Sequence, residues 1–193
     1  MVEDYAKRAK EWRQEKDKFF SYSSDSPIPH ETRHEFKGLT YYPYDHNFRV
    51  VAKLKRVKSD ETIQMVTSKK TTQPYRKIGF LEFTIDGKNS KLAAYKRAWV
   101  NEDDKHIFIP FRDATSGKET YGAGRYLDIE DDEGDNYVLE FNNAYNPFCA
   151  YSEDYVCPLP PRENWLSVEL RAGEKNHKSD HSFVIDENHA LPP

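Results

Sequence analysis

The sequence changes its hydrophobic period near residue 47, and this change restricts the fold more than any other feature. Residues 48–57 (FRVVAKLKRV) begin a series of short segments that are rich in β-branched and aromatic residues and partly alternate between apolar and polar. The other predicted strands lie at 61–67, 77–85, 90–100, 106–111, 124–130, 136–142 and 166–170. Because no helical segment separates them, the series predicts a mainly β fold, an antiparallel barrel or sandwich of about eight strands. Asp86-Gly87 predicts a tight hairpin turn within it.

One helix is predicted before the strands. Residues 3–20 carry an apolar stripe at helical spacing, which consists of Tyr5, Ala9, Trp12 and Phe19. Residues 23–31 (SSDSPIPHE) then end the helix with turn-forming residues and two prolines. We expect the stripe to pack the helix onto the sheet.

The length and composition fit a single domain. The 193 residues include 13 Tyr, 11 Phe and 3 Trp, which bury a large apolar area per residue and compensate for the low hydrophobic content of 37%. We expect one β-rich domain over residues 1–174. The polar segment 175–193, with His177, His181 and His189, is expected to be a mobile tail.

Charge is unevenly distributed along the chain. The net charge of -4 gives no reason to expect nucleic acid or an anionic membrane as a partner. Residues 37–97 contain 14 Lys/Arg and 5 Asp/Glu, whereas residues 102–140 contain 4 and 12. The basic block could form an anion-binding face, or the two blocks could pair two copies of the chain. Solvated outer faces of strands are the interpretation that we favour.

No secretion signal or transmembrane segment is evident, so a cytoplasmic location is predicted. Cys149 and Cys157 are then expected to be reduced thiols. A metal or redox role for this pair is a third, minor hypothesis, because seven residues separate them rather than the two to four of a zinc knuckle.

Three motif-like segments fail the spacing that their chemistry needs. After Gly122 and Gly124, a dinucleotide fingerprint would need glycine where Leu127 stands, and the context is not strand-to-helix. The segment SGK at 116–118 lacks the remaining residues of a phosphate loop, and the acidic segment 128–136 lacks the glycine of a calcium loop. No cofactor and no metal site are therefore predicted.

The densest functional signal lies between residues 111 and 163, where loops hold large polar residues. Two clusters are expected to meet at one end of the sheet, and their members are Arg112, Asp113, Thr115, Thr120, Tyr121 and Arg125, and Asn142, Tyr145, Asn146, Tyr151, Glu163 and Asn164. The arginines could neutralise a carboxylate or phosphate. Asp113 or Glu163 is the candidate acid or base. The alternative is a scaffold, in which the same side chains pair with one another and cap turns.

Three strings carry a family resemblance: residues 36–45 (FKGLTYYPYD), 109–128 (IPFRDATSGKETYGAGRYLD) and 141–164 (FNNAYNPFCAYSEDYVCPLPPREN). With WRQEKDKFF and RAGE, they resemble the family called domain of unknown function 1684, whose members occur in bacteria and archaea. The resemblance covers most of the chain up to Glu174. It implies a family pattern that includes both cysteines and the two loop clusters apart from Tyr151, and it implies no biochemical activity.

The leading hypothesis is a pocket that binds a small anionic or polar metabolite, with or without turnover. In it, Arg112 and Arg125 neutralise the ligand, and Asn142, Tyr145 and Asn146 orient it, while Thr115 and Tyr121 complete the lining. The alternative is a protein-interaction or structural module that acts through a sheet face or through charge-complementary self-association into a homo-oligomer.

Overall fold

The computed structural model describes residues 2–58, 62–101 and 103–177. The helix α1 (Val2–Tyr22) is acidic in its first turn, where the helix dipole favours negative charge. Its buried face includes Ala9 and Phe20. The Arg13 guanidinium donates to the main-chain oxygen of Tyr42, which ties α1 to the rest of the chain. The predicted N-terminal helix is confirmed.

In the part of the chain that the structure describes, seven antiparallel strands follow α1: β1 (Arg49–Arg56), β2 (Thr62–Val66), β3 (Thr72–Ile85), β4 (Lys88–Arg97), β5 (His106–Phe111), β6 (Arg125–Glu130) and β7 (Asn136–Glu140). They form one sheet in the order β6-β5-β4-β3-β1-β7, and β2 pairs with β3 beside this path. The outermost strands β6 and β7 approach each other, so the sheet is a nearly closed barrel. The mainly β, antiparallel fold class is confirmed.

Strand β3 is long enough to pair with three other strands. The first half of β3 pairs with β2 and the second half pairs with β1, and β4 pairs with β3 along most of the length of β3. The register shifts between Lys77 and Gly79, where a Cβ atom on Gly79 would lie 2.4 Å from the Lys55 carbonyl oxygen. Glycine therefore permits the close approach of β1 at this irregularity.

The turn between β3 and β4 follows the prediction. Asp86 has φ 50° and Gly87 has φ 68°, so both central residues take the left-handed conformation of the favoured hairpin turn.

The predicted eighth strand at 166–170 is wrong, since this segment has no strand pairing in the described structure. Its main chain is bound instead by groups from the β5–β6 loop. The Ala114 N–H donates to the Val168 oxygen, and the Leu170 N–H donates to the Asp113 carboxylate. The segment thus has partners for its polar groups without a ladder.

The barrel interior holds the main hydrophobic core, which includes Leu54, Leu81, Leu92, Ile109 and Leu139. A second cluster around Tyr75, Tyr95 and Phe108 lies under the segment that contains Cys157. A third cluster joins Phe20 of α1 to Tyr151. Helix and barrel are therefore held together largely by aromatic rings.

The C-terminal segment is described only as far as His177. The Lys175 N–H donates to the Thr40 oxygen, and the His177 ring contacts Phe36 and Tyr151. Residues 178–193, with His181 and His189, lie outside the described residues, and the domain boundary at 174 stays a prediction. Within the described ranges, no helix combines the length and apolarity that a membrane span requires.

Candidate functional site

Arg125, a predicted ligand-binding residue, begins β6 and points into the interior, where it is 1% exposed. Its guanidinium donates to the main-chain oxygens of Leu170 (2.8 Å), Ala172 and Glu174 (3.2 Å). Asp113 lies 3.5 Å from the same guanidinium. The side chain thus ties β6 to the C-terminal segment.

Asp113, a predicted acid or base, is buried beside Arg125. Its carboxylate accepts hydrogen bonds from the Thr115 hydroxyl at 2.9 Å and from the Leu170 N–H at 2.7 Å. The Thr115 hydroxyl also contacts that of Thr120 at 2.9 Å. The Ser116 hydroxyl donates to the other carboxylate oxygen at 3.2 Å, so both oxygens are engaged inside the protein.

The predicted residues Asn142 and Asn146 are fully buried and bind other parts of the chain. Asn142 donates to the Asp45 oxygen at 2.8 Å and accepts from the Asp45 N–H at 3.0 Å. Asn146 contacts Glu174, whose carboxylate also accepts from Tyr151 and from Lys16 at 2.7 Å. Burial raises the pKa of the Glu174 carboxyl, and Lys16 opposes the increase.

We call this interior cluster the buried polar centre: Asp113, Thr115, Arg125, Asn146 and Glu174. Its members converge, as the loop clusters were expected to do, but they are almost wholly shielded from solvent. Their observed partners give them a role in holding loops together. Direct contact with a ligand stays a prediction for each of them.

The other predicted site residues lie apart from the buried polar centre. The Arg112 guanidinium stacks on Trp165 at 4.3 Å from the ring centroid. Glu163 is exposed and accepts from the Tyr95 hydroxyl at 2.6 Å, and it pairs with Lys77. Tyr121 is buried and directs its hydroxyl at Cys149. Of the two candidate acid–base residues, Asp113 is buried and Glu163 is exposed, and an acid or base role for either stays a prediction.

A groove of about 390 Å³ lies between α1 and the barrel, and we call it the α1 groove. Its walls are mainly aromatic, and its lining residues are Trp12, Glu15, Lys16, Phe19, Phe20, Asp128, Tyr145 and Phe148. The rings of Phe19 and Phe148 stack at 6.4 Å with an interplanar angle of 18°. Tyr145 is the one predicted ligand-binding residue among those that line this groove.

Lys16 lies at the base of the α1 groove and is surrounded by rings. Its ammonium is 5.6 Å from the ring centroid of Trp12, 5.3 Å from that of Phe20 and 5.0 Å from that of Tyr145. The same ammonium donates to Glu174 at 2.7 Å. Lys16 therefore connects the α1 groove to the buried polar centre, and its charge is already balanced there.

Asp128 lies on the outer face of β6 at the edge of the α1 groove. One carboxylate oxygen is 2.9 Å from His106 Nε2, and the other accepts from the Tyr145 hydroxyl at 2.5 Å. The side chains of Asp128 and His106 are each 33% exposed. Burial, and then Asp128, raise the pKa of Tyr145 well above its usual value, so Tyr145 acts as the donor.

A second groove of about 350 Å³ lies on the other side of Asp128 and is lined by Asp104, Lys105, His106, Asp128, Ile129 and Glu130. Asp128 is thus shared by two grooves and is held from both sides by neutral or cationic donors. Such an arrangement orients a carboxylate without removing it from solvent. It can bind a cation or a hydrogen-bond donor that enters from either groove.

Asp128, His106, Lys16 and Phe148 were not predicted as site residues. For Asp128 and Lys16, the sequence contains signals that would have indicated them as candidate residues. Lys16 stands in the helical stripe, four residues after Trp12 and four before Phe20. Asp128 alternates with Leu127 and Ile129, which marks it as an outward residue of β6.

The two charge blocks meet within one chain. Arg56 pairs with Asp131 at 2.7 Å, Lys96 pairs with the same carboxylate at 3.1 Å, and Arg49 pairs with Glu140 at 3.5 Å. Part of the charge complementarity is therefore used internally. Self-association through these blocks stays a prediction.

No cluster of three or more His, Cys, Asp or Glu residues with the arrangement of a metal site occurs within residues 2–58, 62–101 and 103–177. Cys149 and Cys157 are both free thiols. They lie next to each other, although seven residues separate them in the chain.

The fold and the α1 groove define a class: a nearly closed antiparallel barrel with one N-terminal helix packed against it, and an aromatic groove beside the helix. Residues 34–175 match the family described as "Protein of unknown function (DUF1684)", so the chain belongs to this family and the resemblance is confirmed.

A solved structure with the same fold supports this assignment. The solution NMR structure of an uncharacterized protein from Haloarcula marismortui is 40% identical, covers 90% of this chain and 95% of its own, and superposes with a TM-score of 0.70. A comparison with curated proteins found no match. The relatives therefore support the fold and the family, and they indicate no activity.

Proposed function

We propose that the α1 groove binds a small organic amine with a flat apolar part. The observation that carries the proposal is the Asp128 carboxylate, which His106 and Tyr145 hold at the edge of an aromatic groove. The apolar part of the ligand lies against the rings, and its ammonium group faces Asp128. Binding, rather than turnover, is the function that this geometry supports best.

The aromatic lining favours a flat or apolar group. Trp12, Phe19, Phe148 and Tyr145 contribute most of the wall, and Phe19 is 37% exposed at the groove edge. Rings bury a large area on contact, and their faces attract cations. Both effects act on an aromatic amine at once.

The charges favour an amine over an acid. Glu15 and Asp128 contribute two carboxylates to the lining, whereas the ammonium of Lys16 is paired with Glu174. The anionic ligand predicted from sequence relied on Arg112 and Arg125. Neither arginine lines either groove, so the amine replaces the anion in the proposal.

The test is a titration of the full chain with tryptamine, in which binding is measured by isothermal titration calorimetry and by shifts of amide NMR signals. Indole-3-acetate is the matched ligand control, because it has the same ring with the opposite charge. We expect tryptamine to bind and to shift the signals of residues around Phe148, and indole-3-acetate to bind at least about tenfold more weakly.

The matched variants are Asp128→Asn and Glu82→Gln. Asp128→Asn removes the charge that faces the ligand and is expected to weaken tryptamine binding by about tenfold. Glu82 is exposed on β3 outside the lining, so Glu82→Gln should have no effect. Equal affinities for the amine and the acid, or unchanged binding by Asp128→Asn, would contradict the proposal.

A further inference from the structure

The fold brings the two cysteines of the chain into contact, although neither contributes to the α1 groove. Cys149 lies in the short turn Phe148–Ala150, and Cys157 lies just before Pro158, which forms a bridge with Thr67. The Cys149 N–H donates to the Cys157 sulfur at 3.3 Å.

Cys157 is held firmly in place. Its N–H donates to the Ser68 hydroxyl at 3.1 Å, and its carbonyl oxygen accepts from the Ser68 N–H at 2.8 Å. Its side chain packs in the cluster of Tyr75 and Phe108, and the residue is 7% exposed. Cys157 is therefore a buried sulfur at a fixed position beside Cys149.

Cys149 is the more accessible and the more acidic of the two. It is half-buried, and the Tyr121 hydroxyl lies 3.8 Å from its sulfur. The hydrogen bond from Cys157 lowers the pKa of the Cys149 thiol, and the same pairing raises that of Cys157. The thiolate, which is the reactive form, therefore forms more readily at Cys149 than at Cys157.

We propose that Cys149 and Cys157 form a peroxide-reactive dithiol, in which Cys149 is the attacking sulfur and Cys157 the resolving sulfur. The Cys149 thiolate attacks one oxygen of hydrogen peroxide, which breaks the O–O bond, gives a sulfenic acid and releases hydroxide. The Cys157 thiol then attacks the Cys149 sulfur, a disulfide forms, and water leaves. Two thiols and one peroxide thus give one disulfide and two waters.

The contacts favour redox chemistry over a metal site. A zinc site requires four ligands, and the described residues place no third His, Cys, Asp or Glu around the two sulfurs. The contact between the half-buried Cys149 and the buried Cys157 instead resembles that of a redox-active thiol beside a resolving cysteine.

The test treats the reduced full chain with hydrogen peroxide, traps thiols with iodoacetamide at intervals, and measures intact mass and tryptic peptides. We expect both thiols to disappear together, the mass to fall by two hydrogen atoms, and one peptide pair to carry the Cys149–Cys157 disulfide. Dithiothreitol should restore the original mass. The same reaction in guanidinium chloride should be at least about tenfold slower, because unfolding removes the contact.

Two variants separate the roles of the sulfurs. Cys157→Ser should accumulate a sulfenic acid at Cys149 that dimedone traps, whereas Cys149→Ser should lose its remaining thiol at least about tenfold more slowly than the parent. A disulfide between two chains, or equal rates in folded and unfolded protein, would overturn the proposal. The parent chain alone gives both of these readouts, so the result does not depend on the folding of the variants.

Discussion

The buried polar centre and the α1 groove each contain an aspartate beside a basic side chain, Arg125 or His106. The two regions differ in how far the aspartate is exposed to solvent. In the centre, Asp113 and Arg125 have almost no exposed surface, and their atoms bind main-chain groups and each other. In the groove, Asp128 is held by two side chains and remains one-third exposed. The first arrangement ties loops together, and the second leaves a carboxylate at the surface.

Lys16 shows how close the two regions are. Its ammonium lies among the rings of the α1 groove and binds Glu174 of the buried polar centre. The positive charge that Lys16 brings to the α1 groove is therefore balanced by the buried Glu174 carboxylate. Its remaining charges at the surface are the carboxylates of Glu15 and Asp128.

The largest effect on stability is expected from Arg125→Met, which removes the guanidinium donors of the buried polar centre. The substitution leaves three buried carbonyl oxygens without their donor and leaves Asp113 without its cation. We expect the free energy of unfolding to fall by about 3–5 kcal/mol, or cooperative folding to be lost. Urea denaturation followed by fluorescence measures this.

The matched control for this substitution is Arg8→Met. Arg8 is an exposed residue of α1 that pairs with Asp4, so Arg8→Met should lower the free energy of unfolding by less than about 0.5 kcal/mol. If Arg125→Met were as mild as Arg8→Met, the structural role of the buried polar centre would be wrong, and a ligand role for Arg125 would regain support.

The next effect is expected from Gly173→Ala. Gly173 has φ 74° and lies between two residues whose oxygens accept from Arg125. A Cβ atom there would lie 2.5 Å from the Ala144 oxygen and 2.7 Å from that of Phe141. We expect a loss of about 3 kcal/mol in the free energy of unfolding, measured by urea denaturation.

Gly87→Ala is the comparison that isolates the contact. Gly87 has φ 68°, but nothing lies within 4 Å of the added Cβ atom. Gly87→Ala should lower the free energy of unfolding by only about 1 kcal/mol, which is the cost of the left-handed conformation. Equal losses at the two glycines would show that conformation alone, and not packing around the buried polar centre, decides the effect.

Most of the fold could be predicted because strand alternation and turn chemistry are local signals. The Asp86-Gly87 turn and the helix stripe are examples, since each depends on neighbouring residues. The segment 166–170 misled the prediction because it alternates like a strand. Its main-chain partners, Asp113 and Arg125, are distant in sequence and could not be recognised from the pattern.

The placement of the candidate site residues was predicted less completely than the fold, because residue type does not show which way a side chain points. Arg125 and Asn142 were chosen as large polar residues in loops, yet both are directed inward. Arg125 shares the inner face of β6 with Leu127, and this alternation predicts its burial. Asp128 lies on the opposite face, but its contact with Tyr145 depends on a loop path that the sequence does not reveal.

The last prediction compares two carboxylates that are three residues apart, Asp131 and Asp128. The Asp131 side chain is 7% exposed and binds Arg56, Lys96 and the Tyr137 hydroxyl. Burial alone would raise the pKa of Asp131, but the hydrogen bonds from Arg56 and Tyr137 outweigh it and hold the pKa well below its usual value. Asp131→Asn should therefore lower the free energy of unfolding near pH 7 by about 2–3 kcal/mol.

The sign of the pH dependence follows from the lowered pKa. The unfolded chain takes up the Asp131 proton near pH 4, before the folded protein does, so this stabilisation is complete above about pH 5 and declines as the pH falls below about 4. The difference between the parent and Asp131→Asn should shrink over the same range in urea denaturation. Asp128→Asn should change stability by less than about 1 kcal/mol at neutral pH, because the groove carboxylate remains hydrated. If the two aspartates cost the same, Asp128 is a structural residue like Asp131, and the distinction between the α1 groove and the interior fails.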